Sequence, residues 1–183
     1  MNLKKIIFQE IPEGIDETWT HGALFGGMAS VNNNFDLARA FRTAGESLVM
    51  RNTKDFEAYE ILCPVLYIYR HAIELYLKAI ISKFIPSYNV KKLSHDLRNA
   101  FSLVDELIVK QGYDMPEKAR LLINEFAELD KNSFLFRYGE GFQPGEYWVD
   151  FVQLNHVMGW LFDGFEKIYH LEQQVDSKVT KLS

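Results

Sequence analysis

The chain has 183 residues, 48% of them apolar, with a net charge of -5 and one cysteine. That length suits one domain with a full hydrophobic core. The acidic balance excludes a global basic field for nucleic acid, and the lone Cys63 excludes an internal disulfide or a multi-cysteine zinc site.

Residues 1–34 are irregular by pattern and read as an N-terminal arm and loop. Gly22-Ala-Leu-Phe-Gly-Gly27 lacks the Gly-Lys-Ser/Thr ending of a phosphate loop and reads as packing. No export signal is evident, because Gln9, Glu10 and Pro12 end the first apolar run early. No uncharged run approaches the ~18 residues of a membrane span. A cytoplasmic protein is expected, with Cys63 reduced and buried.

The helical domain is placed at 35–174. Asn34 is the expected cap of a first helix over Phe35–Met50, with Leu37, Phe41, Ala44 and Leu48 facing inward. A second helix is expected from about Asp55 to Ile85. Pro64 should bend it near Leu62, or divide it into a short helix and a long one. Its section Cys63–Ile81 is apolar nearly all round, the pattern of a central helix. Arg70, His71, Glu74 and Lys78 fall in one narrow sector of that cylinder.

Residues 87–94 read as a loop. Ser94 is the expected cap of a third helix over His95–Lys110, with Leu97, Phe101, Val104 and Ile108 inward and Gly112 as the stop. A fourth helix is expected from Pro116 to Asp130, burying Ala119, Leu122, Ile123 and Phe126. Alternating aromatics around a Gly/Pro turn at 133–149 suggest a short β-hairpin or ordered loop. Asp150 should cap a last helix running to Gln174, and 175–183 is a polar tail expected to fray. The fold class is therefore all-α: a bundle of about five helices with one insertion before the last.

Three motifs stand in order, Arg70-His-Ala-Ile-Glu-Leu-Tyr-Leu-Lys-Ala-Ile80, Ser94-His-Asp-Leu97 and Phe136-Arg-Tyr138, and together they resemble the HEPN superfamily of bacterial helical proteins. Arg70-His-Ala-Ile-Glu-Leu-Tyr-Leu-Lys-Ala-Ile80 is similar to the Ala-x-Glu-x-x-Leu-Lys-Ala segment of many members. Ser94-His-Asp-Leu97 resembles the His-x-Leu opening of their next helix. Phe136-Arg-Tyr138 resembles an Arg-Tyr element before the last helix of some members. The likeness spans about residues 35–170. It implies RNA-related work, a toxin–antitoxin or phage-defence setting, and pairing as a homodimer or with a partner protein. Cleaving members carry Arg, then four to six residues, then His. None of the seven arginines here has a histidine at that spacing.

The candidate binding residues are Arg70, His71, Glu74, Lys78, His95 and Arg137. Arg70–Glu74 and Glu74–Lys78 are both i,i+4 pairs, so one reading is an ion-pair ladder that satisfies a buried helix. The other is a polar pocket for phosphate, with Arg70 and Lys78 gripping and Glu74 orienting Arg70 or His71. The leading expectation is a binding or interaction module without ribonuclease activity. The alternatives are a metal-independent ribonuclease with displaced residues, using His71 or His95 as base and acid and Arg70 or Arg137 at the phosphate, and a structural oligomerisation domain. Arg137 either stacks in the aromatic insertion or closes the pocket. No cofactor or resident metal is expected: two histidines and a carboxylate without a ligand-spaced motif make a weak metal case.

Overall fold

A computed structural model of the chain describes residues 33–52, 59–130, 135–138 and 148–172. The chain divides into two compact units, Met1–Asn32 and Asn33–Ser183, and the described residues all belong to the second. They are all-α, with no strand among them. The expected arm, most of the expected insertion and the expected tail lie outside them.

Helix α1 spans Asn34–Asn52 and is capped by Asn33, one residue earlier than expected. The Asp36 N–H donates to Asn33 Oδ1 at 2.8 Å, and Asn33 Nδ2 returns a bond to the Asp36 carboxylate at 2.6 Å. The inward face of α1 also differs from expectation. Phe35, Ala38, Gly45 and Val49 are buried, Leu37, Phe41 and Leu48 only line the edge, and Ala44 is exposed. Gly45 is the reason: a Cβ there would stand 2.6 Å from the Tyr69 ring. The glycine lets α1 lie directly on α2 and so sets its rotation.

Helix α2 spans Tyr59–Phe84 as one helix, not a short helix joined to a long one. Pro64 is inside that span, where it removes one backbone donor, and the helix continues through it. Val65, Tyr69, Ala72, Ile73, Tyr76 and Leu77 are fully buried. The helix packs against α1, α3, α5 and α6, so it is the centre of the domain. Cys63, expected in the core, is half-buried, and burial raises its thiol pKa.

A 3-10 turn over Val90–Leu93, within the expected loop, precedes α3, which spans Leu97–Lys110. Its cap is Asp96, not Ser94: Asp96 accepts from the Asn99 N–H at 3.1 Å. Ser94 instead ends the 3-10 turn at φ +49°. His95 therefore precedes the helix. The four residues expected on the inner face of α3 are buried, and Gly112 at φ +82° helps end it.

Helix α4 spans Glu117–Leu129, behind Pro116, and packs on α3. Helix α5 is a single turn, Leu135–Tyr138. That segment had been expected as a hairpin strand or loop. Asp130 Oδ1 accepts the Leu135 N–H at 3.0 Å, anchoring a helical turn whose Leu135 and Phe136 are buried. The hairpin tip itself lies outside the described residues. Helix α6 spans Phe151–His170 and starts on the expected cap, with Asp150 accepting from Val152 and Gln153. It ends earlier than Gln174, where Lys83 Nζ donates to the carbonyls of Tyr169 and Leu171. No described helix is long and apolar enough to cross a membrane.

Candidate functional site

The polar sector of α2 faces the start of α3 and the end of α4. Arg70 is 1% exposed, Glu74 3% and Asp130 2%, so three charges lie in the core. Such charges persist only with partners. Arg70 Nη2 donates to the His95 carbonyl at 2.9 Å and the Asp130 carbonyl at 3.1 Å. Its Nη1 lies 3.6 Å from Glu74 Oε2, and its Nε 3.3 Å from Asp130 Oδ2. The last contact is charge against charge; neither atom has a hydrogen-bond partner. Burial lowers the Arg70 pKa against the pull of Asp130 and Glu74.

Glu74 is the hub. Its Oε1 accepts from Lys78 Nζ at 2.6 Å, and its Oε2 is 3.1 Å from His95 Nδ1. Burial pushes the Glu74 pKa up, but the bonds from Lys78 and His95 more than reverse this, leaving it below the usual carboxylate value. Lys78 Nζ also donates to the Ser94 carbonyl at 2.7 Å. The left-handed backbone at Ser94 therefore sits at a tie between α2 and the entry to α3. Because an ionised carboxylate only accepts, His95 must donate from Nδ1. Its Nε2 has no partner among the described residues, and the side chain is 44% exposed.

His71 lies on the outer edge of the same sector. Its ring meets Phe41 edge-on at 4.6 Å and lies parallel to Tyr67 at 6.0 Å. Burial lowers its pKa, with Glu74 opposing and Lys78, Arg137 and His95 adding to the fall. Arg137, exposed on α5, places its guanidinium 5.3 Å from the centre of the Tyr67 ring. The six sequence-selected residues thus gather on one side of α2. Arg70 is inside, Glu74 is inside and shared, and His71, Lys78, His95 and Arg137 approach the surface.

Asp130 was missed as a site residue. It meets Arg70 across sixty positions of sequence, a separation that no helical spacing marks. A second network was also missed. Arg42 on α1 bonds Glu46 at 2.8 Å and Asp163 at 2.8 Å, and Glu166 lies at 3.4 Å. Tyr76 donates its hydroxyl proton to Glu166 at 2.7 Å, and Tyr69 bonds Asn155 at 3.0 Å. These tyrosines look purely apolar by position, yet their hydroxyls reach polar partners on α6. His156 and His170 are exposed on α6, and His21 lies outside the described residues.

Among the described residues, no three His, Cys, Asp or Glu side chains converge to hold a metal ion. Arg70 and Lys78 already spend donors on Glu74 and on main-chain oxygens. A ligand at this face would therefore meet His95, His71 and Arg137 first.

No family model, curated protein or solved structure matches the chain.

Proposed function

We propose that the chain is a HEPN-like helical binding module that holds a phosphate-bearing ligand on the face of His71, His95 and Arg137. It does so without ribonuclease activity of its own, in a defence or toxin–antitoxin setting. The observation that carries this reading is the Glu74 hub. One buried carboxylate fixes His95 with Nε2 outward while Lys78 and Arg70 back it. Arg70 and Lys78 answer the two buried carboxylates Glu74 and Asp130, which leaves the outward side chains of this face to meet a ligand. The exposed Arg137 guanidinium at this edge favours a phosphate over a neutral ligand. Titration with inorganic pyrophosphate tests it. Saturable binding that weakens with salt and in Arg137→Ala supports the reading; no saturable binding overturns it.

A partner or second copy belongs to the same proposal. Trp148 is 91% exposed and Val152 70% at the start of α6, more apolar surface than one solvated turn needs.

The same dyad also favours a second reading, a metal-independent ribonuclease. A buried acid orienting an imidazole whose other nitrogen faces outward is the arrangement of a general base. His95 Nε2 would take the ribose 2′-hydroxyl proton as that oxygen attacks phosphorus. The 5′-oxygen would leave with a proton from a second group, His71, beside Arg137 as the cation at the phosphate. Against it stand the absent Arg/His spacing and a His71 whose lowered pKa disfavours the protonated acid. Total RNA incubated in chelator separates the readings, with His71→Ala and His95→Ala as controls.

A further inference from the structure

A cleft of about 380 Å³ opens between α6 and the turn joining α3 to α4. It shares no residue with the Glu74 site. Ile108, Met115, Leu161, Phe165 and Ile168 give it apolar walls, and Trp160 forms one side. The volume falls at the lower end of the roughly 300–1,000 Å³ typical of small-molecule sites.

Gly164 is part of the lining, and a Cβ added to it would meet nothing within 4 Å. The helix surface there is open. Bare backbone in the middle of a long helix has a propensity cost with no packing return. Three residues on, Lys167 lies on the same side of α6 and also lines the cleft. Among the described residues it makes no ion pair. The nearby Asp163 carboxylate is turned to Arg42 at 2.8 Å, a guanidinium it shares with Glu46 and Glu166. Asp114, across the cleft on the turn, is an exposed carboxylate and opposes a second negative group. Trp160 already attracts a cation, since Lys118 Nζ lies 4.9 Å from its ring centre.

We propose that this cleft binds a compact aromatic molecule carrying a single anionic group, the ring against Trp160 and Phe165 and the anion at Lys167. Apolar walls, with Lys167 at the edge, Lys118 over the Trp160 ring and two carboxylates in the lining, select one anionic group on an aromatic body over a sugar or a polyphosphate.

The test uses 1-naphthoate and its neutral counterpart 1-naphthol, titrated calorimetrically into the full chain. Both should bind saturably. Gly164→Leu fills the cleft from a position with free space and with better helix propensity, so the fold should hold while both ligands are lost. Lys167→Gln should weaken naphthoate about two- to fivefold and leave naphthol unchanged. Should Gly164→Leu lose its helical circular dichroism, Trp160→Ala replaces it, with weaker binding of both ligands expected. No saturable binding to the native chain near ~1 mM overturns the proposal. So does undiminished binding to folded Gly164→Leu, or equal loss of both ligands in Lys167→Gln. Pyrophosphate binding at the Glu74 face is measured separately, and neither result depends on the other.

Discussion

Glu74 Oε2 lies 3.1 Å from His95 Nδ1, twenty-one residues on in sequence, while Oε1 of the same carboxylate takes the Lys78 ammonium at 2.6 Å. One buried acid therefore ties the central helix to the entry of the next helix and fixes an imidazole at the surface. Stability and candidate function meet in this side chain.

Removing it leaves Arg70 in the core with one carboxylate instead of two and releases Lys78 and His95. Glu74→Ala should cost about 3–5 kcal/mol, the range for breaking a buried ion pair. Urea unfolding measures it, and a loss below about 1 kcal/mol would mean that water answers these charges.

Two groups in the sector give stability an acid dependence of known sign. Burial lowers the folded pKa of His71 from its usual 6.5, so the folded chain takes up its proton less readily than the unfolded one. The bonded Glu74 is also lowered, from its usual 4.5. For both, the stabilising contribution is present above the unfolded value and is lost as pH falls through the folded value. Denaturant midpoints should fall first below about pH 6.5 and again below about pH 4.5. His71→Phe should flatten the upper step alone; an upper step unchanged in that variant would contradict the assignment.

Glycines 45 and 164 should respond in opposite directions. A methyl at Gly45 collides with the Tyr69 ring at 2.6 Å, whose hydroxyl is anchored on Asn155. Gly45→Ala should destabilise by about 1–3 kcal/mol, as overpacking does. Gly164→Ala meets no atom and should stabilise by up to ~1 kcal/mol through helix propensity. Paired thermal melts read both, and a Gly45→Ala chain that is not destabilised would refute the account of α1 packing.

The exposed Trp148 and Val152 predict association. Light scattering at tens of micromolar should give a dimer that Trp148→Ser weakens; a clean monomer would count against self-association.

Much of this was legible in the sequence because local rules dominate there. The apolar periods of α3 and α6 and the cap at Asp150 are set by neighbours three or four residues apart. The sector Arg70–Lys78 is visible for the same reason. What local spacing does not carry is a close approach or a distant partner. The rotation of α1 depends on Gly45 meeting Tyr69. The helical turn at Leu135–Tyr138 depends on Asp130, and the buried Arg70 depends on that same aspartate. Ser94 scores well as a cap by residue type, yet its carbonyl is taken by Lys78 and Asp96 caps instead.

The central claim is that the Glu74–His95 face binds phosphate without cutting RNA. The most direct measurement incubates a fluorescently labelled RNA with the purified chain in chelator, following anisotropy and strand length together. The account predicts intact RNA, with weak binding that fades with salt and falls in Arg137→Ala. Cleavage by the native chain that His95→Ala abolishes would contradict it.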